Sequence, residues 1–243
     1  MAKLTRILFY LILLVVASCK KSEDDAPEPV ITDGLNIVLN HYVGGTALSS
    51  NTISYTNSAG NNYGVTRLQY YLSGFEFETM NGVVYTFNNV YYIDAFSGNA
   101  SIYIPSVPLA HYKRVKFYIG MDSLHNITDA LPNTLENVNM AWPDMMGGGY
   151  HFMKLEGNYL ASGSTTGFAM HLGMNGNLVT NNFTAHFEST AADNTIQLNM
   201  DINEWFNDPY IYDFNIDGNY SMSDSAAMAK LSANGYNVFK VIQ

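Results

Sequence analysis

The chain has a single cysteine, Cys19, among 243 residues. It therefore has no internal disulfide and no thiolate cage for a metal. Charge is scarce as well. Asp, Glu, Lys and Arg make up 13% of the residues, and the 11 basic side chains are outnumbered by 21 acidic ones, for a formal net charge of -10. A phosphate backbone would meet no basic footprint, so nucleic acid is excluded as a partner. The GxGxxG, P-loop, GxSxG and HExxH patterns are all absent, which removes the common nucleotide, hydrolase and zinc-protease chemistries. The one long apolar run, Ile7 to Ala17, is too short to span a bilayer, which takes about 20 residues.

That run follows Lys3 and Arg6 and ends in Val-Ala-Ser-Cys, so residues 1–18 read as a secretory leader and Cys19 as the acylated first residue of a lipoprotein. Residues 19–31, charged and proline-containing, read as a tether with little to bury, like the acidic tethers of Bacteroidetes surface lipoproteins. The expected location is extracytoplasmic, lipid-anchored to the outer membrane through Cys19, on its periplasmic or surface face. A membrane-protein partner is compatible with that place, but no residue names one.

What the chain has in quantity is tyrosine, glycine, asparagine and apolar residues at 47%. From Leu35 the pattern alternates with period two (Leu35, Ile37, Leu39) and stops at Gly44-Gly45. Further strands are predicted over 66–79 with a bulge at Ser73-Gly74, over 83–87 and 90–93 joined by an Asn88-Asn89 turn, and over 101–104 and 114–119. Four more follow over 150–156, 167–172, 182–187 and 195–200. Helix is confined to 225–231, with a short turn at 203–206. With no internal repeat and no later linker, 32–243 is predicted to be a single all-β domain, an antiparallel sandwich with long loops and a short C-terminal helix.

Six histidines and twelve methionines leave imidazole and thioether as the soft donors. His41 precedes Gly44-Gly45, and His171 precedes Leu172-Gly173, both read as strand ends on a rim. The segment 139–157 gathers Met140, Trp142, Met145, Met146, His151 and Met153 around three glycines. Strict alternation there puts His151, Met153 and Leu155 on one face, and Tyr150, Phe152 and Lys154 on the other. Hard-cation loops around Asp201 and Asp122 lack the calcium-loop spacing. Tyr91, Tyr92, Tyr210 and Tyr212 would suit stacking on a sugar as surface aromatics, and equally the core and edges of a Tyr-rich sandwich. No residue stands out as a nucleophile, so an enzyme is the least favoured class.

The succession His41-Tyr-Val-Gly-Gly, Asn57-Ser-Ala-Gly60, Leu68-Gln-Tyr-Tyr-Leu-Ser73, Phe117-Tyr-Ile-Gly-Met-Asp122, Met140-Ala-Trp142, Gly149-Tyr150, Lys154-Leu-Glu-Gly157 and His171-Leu-Gly173 resembles the MbnP family of methanobactin-associated copper-binding proteins. The likeness continues through Asp201-Ile-Asn203 and Trp205-Phe206. The resemblance implies a secreted β-sandwich that holds copper, as Cu(I), with two histidines near a tryptophan that can be oxidised to kynurenine. Carried onto this chain, the histidines fall on His41 and His171 and the tryptophan on Trp142. The family's Met-x-Trp-x-Trp segment departs here, with Asp144 in place of the second tryptophan and Met145 to Gly148 as a longer stretch. That departure brings His151, Met140 and the other methionines forward as alternative ligands. Outside copper handling, the sequence also suits a binding module for carbohydrate or another small ligand, or a structural component of an outer-membrane complex.

Overall fold

A computed structural model describes residues 34–50, 52–97, 100–190 and 193–242. The leader, Cys19 and the tether lie outside the described residues. Two sheets form the fold. The first contains β1 (Leu35–Val43), β2 (Thr46–Ala47), β6 (Ser101–Ile104), β11 (Thr195–Asp201) and β12 (Phe239–Ile242). The second contains β3 (Tyr55–Thr56), β4 (Asn62–Thr79), β5 (Val84–Asp94), β7 (Ala110–Ile119), β8 (His151–Ala161), β9 (Ser164–Gly173) and β10 (Val179–Ser189). Every pairing among these strands is antiparallel except β1 with β11, which runs parallel. The α-helices among the described residues are the five-residue α1 (Leu135–Asn139) and the C-terminal α2 (Ser225–Asn234). The protein is thus a predominantly antiparallel β-sandwich, as the alternation and turn signals predict.

Burial in β1 alternates along its whole length, with Leu35, Ile37, Leu39, His41 and Val43 on the interior face. Aromatic rings close the gap between the sheets: Phe239 of β12 meets Tyr70 of β4 at 6.2 Å and Phe117 of β7 at 5.3 Å between centroids. The predicted bulge at Ser73-Gly74 is present as a register shift, with Gly74 at φ +60°. The Asn88-Asn89 turn is not. Both residues lie within the continuous strand β5, opposite Gly74, and the hairpin turns instead at Met80 to Gly82. The two adjacent amides instead form the two-residue side of a bulge in β5, set against the single Gly74, so the strand bends there without reversing.

β4 organises the larger sheet. β5 lies along one edge, while β8 and β7 follow one another along the other, pairing with residues 63–70 and 72–79. The chain leaves β7 at Gly120 and re-enters the same edge at His151, after a thirty-residue excursion over the outer face of the sheet. Tyr71, which faces outward from β4, donates to Asn137 of α1 and packs edge-on against Tyr150. This excursion carries Met140 and Trp142.

Candidate functional site

The excursion is held in shape by short polar side chains that capture its own backbone. Asn126 accepts from the Tyr150 amide at 2.8 Å, Thr128 Oγ1 accepts from the Gly149 amide at 2.8 Å, and the Tyr150 hydroxyl accepts from the Leu131 amide at 2.9 Å. Gly149 has φ +83°, and a Cβ there would stand 2.3 Å from Asn126 Oδ1, so the close approach requires glycine. Antiparallel bonds from Trp142 to Gly149 and from His151 to Met140 then fold residues 140–142 back beside the start of β8.

At that point β8 contains a bulge. Met153 pairs with Leu172, but His151, not Phe152, pairs with Gly173. One inserted residue moves a side chain to the opposite face. His151 therefore does not share the face of Met153 and Leu155, as strict alternation predicts. It turns outward, onto the face of Lys154 and His171, which are themselves cross-strand partners. The rings of His151 and His171 lie 5.0 Å apart at 85°, and Trp142 lies 4.7 Å from His151. The indole sits over Gly173, where a Cβ would come within 2.4 Å of the ring, and its Nε1–H donates to the Met146 carbonyl at 3.2 Å.

Each imidazole is fixed through one nitrogen. His151 Nδ1 donates to the Met140 carbonyl at 3.1 Å, since a carbonyl can only accept. His171 Nε2 donates to Glu156 Oε1 at 2.9 Å, and Arg67 holds both oxygens of that carboxylate at 2.9 Å. The hydrogen bond from His171, followed by the Arg67 charge, keeps the Glu156 carboxyl below its ordinary range despite partial burial. The His171 backbone is locked in turn by Ser221, which accepts from its amide and donates to its carbonyl, both at 2.7 Å. The other two nitrogens, His151 Nε2 and His171 Nδ1, are buried without a hydrogen-bond partner. Burial, reinforced by the Lys154 charge, holds His151 neutral by lowering its pKa from 6.5 to about 3.

The structure thus brings His151, His171, Trp142 and the Met140 backbone together, and leaves His41 elsewhere. His41 is not on a rim. It is 9% exposed on the interior face of β1, and its Nε2 shares a 2.8 Å hydrogen bond with the Tyr70 hydroxyl. Tyr70 and Leu172 share the interior side of the larger sheet, so His171, one residue from Leu172, is on the opposite side. The Met140 side chain is fully buried. Tyr212 is no surface aromatic either: it is fully buried, with its hydroxyl donating to the Asp217 and Gly218 carbonyls. Arg67 and Glu156, which no sequence motif marks as site residues, complete the surroundings of His171. The outward alternation of Lys154 and Glu156 on one strand was the available signal.

A sequence profile of the MbnP family matches residues 32–224. The chain belongs to the MbnP family. The solved structure of MbnP from Methylosinus trichosporium resembles this fold with a TM-score of 0.57, covering 85% of this chain and 97% of that one at 14% identity. No curated protein matches significantly. Among the described residues, no group of three or more His, Cys, Asp and Glu side chains is placed to hold a metal ion. The histidine pair beside Trp142 is therefore the donor set against which a family function in copper handling has to be tested.

Proposed function

We propose that this MbnP family member is a non-enzymatic, copper-binding or copper-handling protein that holds Cu(I) between His151 Nε2 and His171 Nδ1, beside Trp142. The observation that carries this reading is the pair of buried, unpartnered imidazole nitrogens on two rings that meet edge to face with centroids 5.0 Å apart. A buried polar atom without a partner is uncommon, and two together invite a shared ligand. Each ring is oriented through its far nitrogen by an acceptor, Glu156 or a backbone carbonyl, the arrangement that fixes the tautomer of a metal-binding histidine. Two neutral nitrogens suit a soft, d10 cation that accepts low coordination, whereas zinc sites use four ligands. Of the two histidines implied by the family resemblance, His171 stays in this assignment and His151 takes the place of His41. Trp142 is the residue on which the family's oxidation to kynurenine would fall.

Elemental analysis of residues 20–243, exported and loaded anaerobically with Cu(I), tests the assignment. We expect close to one copper per chain, lost in His151→Ala and in His171→Ala and retained in His41→Gln. Copper that survives both losses would overturn the site. Anchorage to the outer membrane by acylated Cys19 is part of the same proposal, and membrane fractionation of Cys19→Ala checks it: the variant should move to the soluble fraction.

A second reading draws on a cavity of about 530 Å³ lined by Tyr71, Tyr92, Asp94, Glu136 and Asn137, beside α1. Aromatic faces with hydrogen-bonding rims suit a sugar or similar small ligand. A glycan screen comparing the parent with Tyr92→Ala would show saturable binding lost in the variant.

A further inference from the structure

Lys154 occupies the cross-strand position opposite His171, on the same face as both imidazoles. Its ammonium donates to the carbonyl of Asn139, the residue before the Met140 whose own carbonyl holds His151. The charge is thus fixed in place and half-buried rather than waving in solvent. Beside it, on the same face, Arg67 and Glu156 form an ion pair. Asp94 stands further off, across β4, with its oxygens engaged by the Gln69 amide and the Phe96 backbone N–H. The histidine pair therefore sits in an environment where Arg67 and Glu156 cancel and Lys154 is left over.

We infer that Lys154 is a specificity-determining residue that makes the histidine pair select a monovalent soft cation and reject divalent ones. The inference rests on the proposed two-histidine site. The repulsion between a fixed charge and a bound ion scales with the ion's own charge, so Lys154 opposes a divalent ion twice as strongly, in free energy, as a monovalent one at the same point. Neutral imidazoles supply no negative charge to offset it, and Glu156, the carboxylate that touches His171, is already paired with Arg67. A purely structural strut from Lys154 to Asn139 would behave differently. Its loss would loosen residues 139–142 and weaken both kinds of ion alike.

The test uses two redox-inert probes, Ag(I) and Zn(II), in competition titrations of the soluble protein, Lys154→Gln, Lys154→Ile and Lys154→Arg. In the neutral variants the association constant should rise about tenfold for Ag(I) and about a hundredfold for Zn(II), the second factor being roughly the square of the first. Lys154→Arg, which keeps the charge, should match the parent. Lys154→Ile supplies the same comparison in a strand-favouring side chain should Lys154→Gln fail to fold. Equal factors for the two ions, or no change in either, would overturn the role of Lys154 while leaving the histidine site standing. A parent protein that binds no Ag(I) would overturn the site itself, and this inference with it.

Discussion

At Gly173 a single hydrogen atom keeps the space that the Trp142 indole fills. A methyl group there would stand 2.4 Å from the ring, so Gly173→Ala must push the indole off the sheet and away from His151. Overpacking of this kind costs about 1–3 kcal/mol. We expect a lowered urea midpoint together with a shift in tryptophan emission, while an unchanged midpoint would mean that the indole has room to slide. Met174, the next residue, holds φ +68° with an extended ψ, a conformation that L residues rarely adopt. Met174→Gly should therefore stabilise the protein by about 1 kcal/mol, read from the same unfolding curves.

The excursion between β7 and β8 is the element on which the site depends, and few apolar contacts fix its rim. Leu124, Leu135, Val138 and Met145 are all exposed. Its shape depends on side-chain oxygens accepting backbone amides, which makes each of them separately testable. Thr128→Val keeps the volume but leaves the Gly149 amide without its acceptor. The expected cost is about 1–2 kcal/mol in stability, with weaker metal uptake at the proposed site because Met140 and Trp142 contact His151. The C-terminal helix offers a control at the same scale. Asp224 caps α2 by accepting from the Ala226 and Ala227 amides, so Asp224→Ala should cost about 1 kcal/mol and leave metal uptake at the proposed site unchanged.

Two buried neutral histidines shape the acid response of the whole molecule. Burial lowers His41 from 6.5 to about 4 and His151 from 6.5 to about 3. Both have a folded pKa below the unfolded value, so the unfolded chain binds protons first and stability falls as pH drops below about 6.5. The contribution is complete above that pH and is lost progressively down to about 4 for His41 and about 3 for His151. Within the shared window the slope approaches ~2.7 kcal/mol per pH unit, ~1.36 from each. Urea midpoints of the metal-free protein at pH 7.5, 6.5 and 5.5 should follow this fall, and His41→Gln should roughly halve it. Across the same molecule no helix among the described residues is long and apolar enough to cross a membrane.

Sequence alone determined the sheet class, most strand positions and a helix over 225–231, which the structure extends to Asn234, because period-two alternation and glycine or asparagine stops are local properties of the chain. It also singled out Trp142, His151 and His171 as donors worth weighing, from the crowding of soft side chains around Gly147 to Gly149 and from the family pattern. Tertiary structure decided which histidines meet. The bulge between His151 and Met153 is invisible to alternation, since one extra residue reverses the face without changing composition. His41 reads as a rim residue from its glycines, but the second sheet closes over it and gives it Tyr70 as a partner. The roles of Arg67 and Glu156 also arise only once β4, β8 and β9 lie side by side. Strand identity is written residue by residue, whereas a site assembled across strands depends on register, which long-range packing fixes.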